Sequence, residues 1–377
     1  MKPLHYLAIA VLCLSHAAFS QGDPPKQSEP KLIMLDPIRL VEIPEGVGMI
    51  RGVALADDSK SAFVARHDGS GKTIVSRIWF EDSRVEDVLS FTTEGFVQGF
   101  PEIRSAPNTI MFVQDDAASI HFFDPHSGEQ VSTIGDPTTP GVFRYFAFQP
   151  ASKSVYVALG STLQRWNIET NSIQEKFEIP LRNANEFTAA IMADKDNIGI
   201  VIYDPDAGTE RLTVLQANDG TVDEQQELVG PVVHTDWGSN RMISVRIEDN
   251  HWSEIEMWPL DSMERQGPHE VRGDIASVGI RVSEKHDLVF VHNWMVEFVA
   301  VYDMREKHWG SILGPENHLV REFDISSDGD RAITVQGQGL NGDVLQTHFA
   351  IFDISDLRMQ LDNKEHTTPV AQPETSK

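Results

Sequence analysis

The segment LVREFDISSDGDRAITVQ, Leu319–Gln336, contains two alternating apolar strands on either side of a Ser-Asp-Gly turn. After a Gly-rich stretch the chain continues as THFAIFDISD, Thr347–Asp356, a third strand that ends in a Phe-Asp step. Alternation with a period of two around an Asp-Gly turn is a strong local signal for a β-hairpin. The two segments therefore predict three consecutive antiparallel strands.

The same pattern recurs seven times along the chain, at intervals of about 45 residues. Shorter fourth strands follow the third strands, as in WGSILG at 309–314. Four strands in roughly 45 residues are the size of one propeller blade. We therefore expect an all-β protein with seven blades over residues 38–360. The first two strands of the units and their turns lie at 53–65, 102–114, 146–158, 190–203, 234–246, 278–292 and 323–336.

These repeats resemble the WD40/YVTN class of seven-bladed β-propellers over about 38–357. The Ser327–Gly329 turn before a Val-containing strand is similar to the YVTN repeat, and the endings Tyr302-Asp303 and Phe352-Asp353 are similar to WD40 third strands. The regular Gly-His and Trp-Asp pairs of true WD40 repeats are lacking. The resemblance implies a propeller of secreted bacterial type and indicates little about its function.

An unpaired strand near the N-terminus predicts how the ring closes. The last unit supplies only three strands, whereas Ile38–Ile43, IRLVEI, alternates well and belongs to no unit. We expect it to pair with Phe349–Ile354 as the outer strand of the last blade. Such closure leaves only short, protected strand edges, which limits aggregation.

The two ends of the chain have compositions unlike the repeats. Residues 1–20 combine Lys2, an apolar run and the small-residue ending Ala18-Phe19-Ser20, which is typical of a secretory signal peptide. The only cysteine, Cys13, lies within it, so the processed chain would have no disulfide. Residues 21–37 are interpreted as a Pro-rich linker and 361–377 as a disordered tail. We expect a monomeric secreted or periplasmic bacterial protein.

The net charge of the chain limits the kinds of molecule that it is expected to bind. The chain has 57 acidic and 31 basic residues and a net charge of −26. Such a surface repels nucleic-acid phosphates and anionic lipid, so neither is expected as a partner. No segment after residue 20 is long and apolar enough for membrane insertion. A small anionic ligand or a protein partner is expected instead.

Three arginines reverse this charge locally. Each stands six residues before a turn position, at the entrance of a predicted innermost strand: Arg51, Arg144 and Arg321. Planar guanidinium groups bind carboxylates and other anions well, which favours an anion site. The alternative is that each arginine bridges to an acid of a neighbouring blade. Candidate acids are Glu102, Glu186, Asp274 and Glu322.

Polar side chains also end most of the predicted second strands. They are Gln114, Tyr203, Arg246, His292 and Gln336. A ring of polar tips at one rim suits a small polar ligand. The alternative is a set of satisfied hydrogen bonds at the rim. Because strand alternation and a shared offset from the turn fix side and height, we expect these residues near the three arginines, around the channel mouth.

Metal and catalytic motifs are weak or missing. The spacing Asp204-x-Asp206-x-Gly208-x-Glu210 matches part of a calcium loop, but a solvated hairpin loop is the favoured interpretation. The sequence has no H-E-x-x-H, no G-x-S-x-G and no phosphate-binding glycine loop. No cofactor or metal is therefore predicted.

Two function classes remain. The first is a binding module for an anionic small molecule or a protein, without catalysis. The second is a hydrolase or lyase of small molecules, similar to the lactonases among YVTN-type propellers. Binding is favoured because no nucleophile–base pair is recognisable and a fold does not imply a reaction.

Overall fold

The computed structural model describes residues 37–359 with gaps at 57, 68–71, 93–101, 107–109, 115–116, 125, 141–145, 150–152, 229–233, 236–240, 250–251, 260–265, 273–277, 284, 294–297, 306–307, 314–318, 339–344 and 358. The signal peptide at 1–20, the linker up to residue 36 and the tail at 361–377 lie outside this set and stay predictions. Within it, no helix has the length and apolar character needed to cross a membrane.

The described residues are almost entirely β-structure, with one helical turn at 354–357. The strands are numbered here in chain order. They are β1 (Arg39–Glu42), β2 (Met49–Leu55), β3 (Ser61–His67), β4 (Lys72–Trp79), β5 (Val85–Thr92), β6 (Glu102–Ala106), β7 (Ile110–Gln114), β8 (Ala117–Phe123), β9 (Gln130–Pro140), β10 (Phe146–Gln149), β11 (Ser154–Leu159), β12 (Thr162–Asn167), β13 (Ser172–Glu178), β14 (Phe187–Ala193), β15 (Asn197–Asp204), β16 (Thr209–Gln216), β17 (Val222–Leu228), β18 (His234–Thr235), β19 (Arg241–Asp249), β20 (Trp252–Pro259), β21 (Gln266–Arg272), β22 (Val278–Ser283), β23 (Leu288–Asn293), β24 (Phe298–Asp303), β25 (His308–Leu313), β26 (Leu319–Ile325), β27 (Arg331–Gln338) and β28 (Leu345–Asp353).

The strands form four-stranded antiparallel sheets of the kind that make propeller blades. Six sheets consist of consecutive strands, β2–β5, β6–β9, β10–β13, β14–β17, β18–β21 and β22–β25, and a further sheet has the order β1-β28-β27-β26. The all-β propeller class is therefore confirmed. Side chains are described over most of five sheets, but over only part of β6–β9 and none of β18–β21. Seven blades in one closed ring remain a proposal, argued below.

The N-terminal strand joins the last sheet. Arg39 lies opposite Ile351 and Val41 opposite Phe349 in antiparallel register. The Ile43 amide extends the pairing by donating to the Thr347 carbonyl at 2.9 Å. The predicted pairing of this segment with the third strand of the last unit is thus confirmed. The contact covers 347–351 and not the full predicted range.

Buried apolar clusters lie between neighbouring sheets, because both faces of a blade must be covered. Phe323 and Ile325 of β26 pack with Phe290 and Val301 of the β22–β25 sheet. On the opposite face, side chains of β27 and β28 pack with the β2–β5 sheet through Ile333, Val335 and Phe349. Adjacent innermost strands also contact one another, including β22 with β26 and β26 with β2. The innermost strands are thereby placed side by side.

Glycine is favoured at position 329 of the Ser-Asp-Gly turn both by its backbone conformation and by its contact with the neighbouring sheet. It has φ +73°, a conformation that favours glycine. A Cβ added there would lie 3.0 Å from the Ser283 Oγ of the neighbouring sheet. That hydroxyl donates to the Gly329 carbonyl at 2.9 Å. The turn therefore fits against the adjacent blade as well as connecting β26 to β27.

The aspartates at third-strand ends cap the turns that follow. Asp303 Oδ1 accepts the Arg305 amide at 2.8 Å, and Asp353 Oδ1 accepts the Ser355 amide at 3.0 Å. Asp124 does the same for the His126 amide at 2.7 Å. Short Asp side chains favour such turns because they bond the backbone two residues ahead. The Tyr-Asp and Phe-Asp steps thus reflect turn chemistry.

We expect the two faces of β1 to respond differently to substitution. Val41 is buried against the cores of two sheets, whereas its neighbour Leu40 is 49% exposed. Val41→Asp buries an unpaired carboxylate and should lower the free energy of unfolding by about 3 kcal/mol, while Leu40→Asp should change it by less than about 0.5 kcal/mol. Urea unfolding of both variants measures this. Equal effects would contradict closure through β1.

Candidate functional site

Arg51 and Arg321 occupy equivalent irregular positions on adjacent innermost strands. The β2–β3 register shifts between Ile50 and Gly52, and the β26–β27 register shifts between Val320 and Glu322. Each arginine is thus the extra residue of a β-bulge, which re-aims a side chain relative to regular alternation. A third bulge lies between Thr188 and Ala190 in β14.

The bulges correct the alignment made from the sequence. Counting six residues back from Asp194, at the turn of the β14 unit, reaches Thr188 as the equivalent of the arginines. The register places Ala189 there instead. The turn after β14 is two residues shorter, because the Asp194 amide bonds the Asn197 carbonyl whereas the Ala56 amide bonds Ser61, so offsets from a turn are not sufficient to align these strands.

Glu322 lies at the centre of a half-buried charged group on β22, β26 and β2. Burial raises the pKa of its carboxyl to about 8. Three guanidinium groups oppose that shift and therefore act on this carboxyl: those of Arg51, Arg281 and Arg321. We call these four residues the arginine cluster. The expected proximity of Arg51 and Arg321 is consistent with their shared influence on Glu322.

A second charged layer lies further along the same strands. Arg281 Nε donates to Asp324 Oδ1 at 2.6 Å, and both side chains are buried. The other carboxylate oxygen accepts the Ser105 amide of β6 at 3.1 Å. The Arg104 guanidinium also acts on Asp324. This layer joins three innermost strands, β22, β26 and β6, across the interior of the structure.

His292 and Gln336 are not exposed polar tips. His292 is 7% exposed, its Nε2 lies 3.2 Å from the Val320 carbonyl, and burial lowers its pKa to about 4. Gln336 is fully buried, and its Nε2 donates to Thr334 Oγ1 at 3.1 Å. His292 thus connects β23 with β26 of the neighbouring sheet, whereas the bond of Gln336 stays within β27. The expectation of a rim of polar side chains is therefore wrong for these two positions.

Tyr203 lies in a different sheet from the arginine cluster. Its ring packs edge-on against Phe187 at 5.4 Å between centroids, in the β14–β17 sheet. Gln114 and Arg246 belong to β7 and β19, but their side chains lie outside the described residues, as does Arg144. Of the eight predicted site residues, Arg51 and Arg321 both act on Glu322, and His292 and Gln336 lie beside Val320, the residue before Arg321.

The alternative interpretation, that the arginines form ion pairs with acids of neighbouring blades, is supported in part. Glu186, one of the predicted bridging acids, binds Arg211 of its own sheet at 2.6 Å, and the side chains of Glu102 and Asp274 lie outside the described residues. Glu322 does interact with Arg51 across adjacent sheets. Asp324 pairs with Arg281, which the sequence analysis did not single out. The available signal was a charged residue within the apolar strand VGIRVS.

The partial calcium motif is a hairpin turn. Asp204 Oδ1 accepts the backbone amides of Asp206 at 2.9 Å and Ala207 at 3.2 Å. Gly208 adopts φ +65°, as expected in a tight turn. Among the described residues, no group of three or more His, Cys, Asp or Glu side chains is placed to hold a metal ion.

Charge and exposure together indicate what the arginine cluster can bind. It contains three guanidinium groups and one carboxyl whose raised pKa keeps it largely protonated near neutral pH. Arg51, Arg321 and Glu322 are half-buried, which leaves them partly accessible. Arg281 is paired with Asp324, so the positive charge beside Glu322 comes from Arg51 and Arg321, in a chain of net charge −26. Such a reversal attracts anions.

Comparison with solved structures shows the same architecture at low sequence identity. The structure of U3-55K matches with a TM-score of 0.54 and 13% identity, over 84% of this chain and 99% of that one. The fold is that of a WD40 β-propeller. The crystal structure of the RRP9 WD40 repeats gives a TM-score of 0.54 at 14% identity over 85% and 99% of the two chains.

The WD40 domain of Neurospora crassa Pan2 also matches this propeller, with a TM-score of 0.54 at 11% identity over 84% and 96% of the chains. No model of a known protein family matches the sequence, and no curated protein does. WD40 propellers generally serve as binding scaffolds, and identities this low establish the fold alone.

We expect Glu322 to make the propeller less stable as pH rises. Its pKa in the folded state, about 8, lies above the ordinary value of 4.5, so folding favours the protonated form. The stabilisation is present below about pH 4.5 and is lost as pH rises towards 8. Between pH 5 and 8.5 the unfolding free energy of Glu322→Gln should fall by about 2 kcal/mol less than that of the unmodified protein. This value is roughly half of the free energy that corresponds to the full pKa shift, because solvent reaches the site in part.

Urea unfolding at the two pH values measures that difference. Glu81→Gln, at an exposed turn, is the matched control and should follow the unmodified protein. An unchanged pH dependence in Glu322→Gln would show that Glu322 is ionised in the folded protein at neutral pH.

Proposed function

We propose that the propeller is a binding module whose arginine cluster captures a small anionic ligand at the mouth of its channel. The observation that carries this proposal is that Arg51 and Arg321, on the neighbouring innermost strands β2 and β26, both act on the carboxyl of Glu322. Guanidinium groups recognise carboxylate and phosphate oxygens through paired, charge-assisted hydrogen bonds. Partial burial would strengthen those bonds by lowering the local dielectric constant.

The proposal includes a closed ring of seven blades. Support comes from the contacts of the innermost strands, which follow the order β10, β14, β18, β22, β26, β2, β6. The junction between the two ends of this series is supported by a buried cluster in which Ile120 and Phe122 of β8 pack with Phe146 and Phe148 of β10. A closed ring would place the arginine cluster around one channel.

Binding is favoured over catalysis by the hydrogen bonds of Ser105, whose backbone amide donates to Asp324. The Ser105 Oγ donates to the Leu55 carbonyl at 2.8 Å and not to a histidine or carboxylate. A serine nucleophile requires a base within hydrogen-bond reach. His292 is buried and bonded to the Val320 carbonyl. This geometry does not support the lactonase-like alternative.

A secreted or periplasmic location is also part of the proposal. It rests on the signal-peptide pattern of residues 1–20 and on the lack of cysteine after Cys13. A protein partner at the same face stays compatible with a binding propeller. The anion is preferred because the local charge opposes that of the whole chain.

We expect anions to stabilise the protein through Arg51 and Arg321. A ligand that binds only the folded state raises the melting temperature by mass action. In a thermal-shift panel of phosphate, sulfate, acetate and succinate at constant ionic strength, at least one anion should raise it. Arg51→Ala and Arg321→Ala should each weaken that anion about 10-fold or more in calorimetric titration, since charge-assisted hydrogen bonds contribute about 1.5–3 kcal/mol.

Arg84→Ala provides the matched control, because Arg84 is exposed in the turn after β4. It should bind the anion like the unmodified protein. Equal affinities in Arg51→Ala, Arg321→Ala and Arg84→Ala, or no stabilising anion in the panel, would contradict the proposed function. Circular dichroism of each variant establishes that the fold is retained.

A further inference from the structure

Two amide–carboxylate pairs hold the loop before β14 against the turn between β15 and β16. Asn185 Nδ2 donates to Asp206 Oδ2 at 2.8 Å, and Asn183 Nδ2 lies 3.4 Å from Asp204 Oδ2. Loop and turn thus meet at the end of the sheet where β14 begins and β15 ends. Asn183 also stabilises its own loop, because its Oδ1 accepts the Asn185 amide at 2.8 Å.

A buried ion pair supports the same loop from the opposite face of the sheet. Glu186 accepts two hydrogen bonds from Arg211 of β16, at 2.6 and 3.2 Å, and both side chains are buried. The Arg182 amide donates to the same carboxylate, and the Arg211 guanidinium donates to the Pro180 carbonyl at 2.7 Å. The hydrogen bonds from Arg211 lower the pKa of Glu186, so the pair stays charged at neutral pH. The backbone of the loop is therefore fixed by groups that do not face solvent.

Phe187 and Tyr203 form an aromatic pair at the same end of the sheet. They are directly opposite each other in the β14–β15 register, so both side chains lie on one face. Their rings pack edge to face, with 5.4 Å between centroids. Phe187 is nevertheless 47% exposed, and within the described residues the Tyr203 hydroxyl forms no hydrogen bond.

The chain itself keeps the aromatic pair close to the pair formed by Asn185 and Asp206. Asn185 is two residues from Phe187, and Asp206 is three residues from Tyr203. Three residues of extended chain span ~11 Å at most, and the tight turn shortens this distance. Among the described residues, Asp206 Oδ1 and Asn185 Oδ1 accept no hydrogen bond. We define these four residues as the aromatic corner.

The aromatic corner presents an apolar ring beside hydrogen-bonding groups of both kinds. Its amide and phenol groups can donate, and its amide, phenol and carboxylate oxygens can accept. A sugar ring is complementary, since hydroxyl groups lie around its edge and C–H bonds cover a face. Aromatic side chains bind apolar surface, and a few polar groups at its edge fix the orientation. An anion would instead be repelled by Asp204 and Asp206.

We propose that the aromatic corner binds a neutral pyranose, with the C–H face of the sugar on Phe187 and its hydroxyl groups at the Asn185–Asp206 pair. The fixed loop limits the ordering cost of binding. The inference does not depend on the anion proposal, because the aromatic corner belongs to the β14–β17 sheet and not to the strands of the arginine cluster.

The test is saturation-transfer NMR with methyl β-D-glucopyranoside, methyl β-D-galactopyranoside and methyl α-D-mannopyranoside, followed by titration. At least one glycoside should bind with a dissociation constant in the millimolar range, as expected for so small a ligand. Saturation should be strongest at the ring protons of one sugar face, because that face contacts Phe187. No binding by any of the three glycosides, or saturation spread evenly over the sugar, would overturn the proposal.

Variants assign the binding to the aromatic corner. Phe187→Ala should weaken the bound glycoside about tenfold, whereas Phe187→Trp should retain it. Asp206→Ala should weaken it about tenfold or more, because hydrogen bonds to a charged group are lost. Val222→Ala is the matched control, since Val222 lies in the same sheet and is 48% exposed, and it should leave the titration unchanged. A lower melting temperature of Phe187→Ala with unchanged sugar binding would show that this ring serves packing only.

Tetramethylammonium separates a sugar from a cationic ligand. Aromatic faces and carboxylates also attract cations. Each carboxylate here already accepts an amide proton from an asparagine, which favours the neutral ligand. Tetramethylammonium should therefore not displace the glycoside. Tighter binding of this cation than of every glycoside, lost in Phe187→Ala, would overturn the sugar assignment.

Discussion

Pairing between β1 and β28 joins segments from opposite ends of the described chain in one sheet, and the position of the candidate site depends on that pairing. Val41 enters the core between two sheets through it. The next segment of chain then leads directly into β2, which contacts β26. Arg51 and Arg321 are far apart in sequence, and closure makes their strands neighbours. Without it, β28 would also present an open edge.

Closure explains where charge accumulates as well as how the fold holds together. Apolar side chains of β26 pack against the β22–β25 sheet, and charged side chains of β22 and β26 meet at the same boundary between sheets. Arg281 and Asp324 meet there as a buried pair. Removing one partner of such a pair typically costs about 3–5 kcal/mol, whereas the intact pair contributes little net stability. We interpret the pair as a fixed support beneath the arginine cluster.

The propeller architecture limits function only loosely. U3-55K, RRP9 and Pan2 share the fold with this chain at 11–14% identity, which says nothing about a shared ligand. The argument for an anion rests on the positive charge of Arg51 and Arg321 beside Glu322, which belongs to particular residues and not to the fold.

The sequence by itself determined the strand pattern, the turns and the role of the N-terminal strand. Period-two alternation, the Ser-Asp-Gly turn at Gly329 and the unpaired segment Ile38–Ile43 are local signals, because strand faces and turn conformations depend on neighbouring residues. The same counting from turns identified Arg51 and Arg321. This counting identified the two arginines but not the side chains that contact them.

Only the tertiary structure decided which side chains meet. The bulges at Arg51 and Arg321 altered the register, and a bulge of one residue cannot be read from alternation alone. His292 and Gln336 are buried, although both end predicted strands in the same way as Tyr203, which is half-buried. Arg281 with Asp324 and Gln346 with Ile50 are pairs 43 and 296 residues apart. The first pair arises from the packing of consecutive sheets and the second from the contact between opposite ends of the described chain, and no local pattern encodes either.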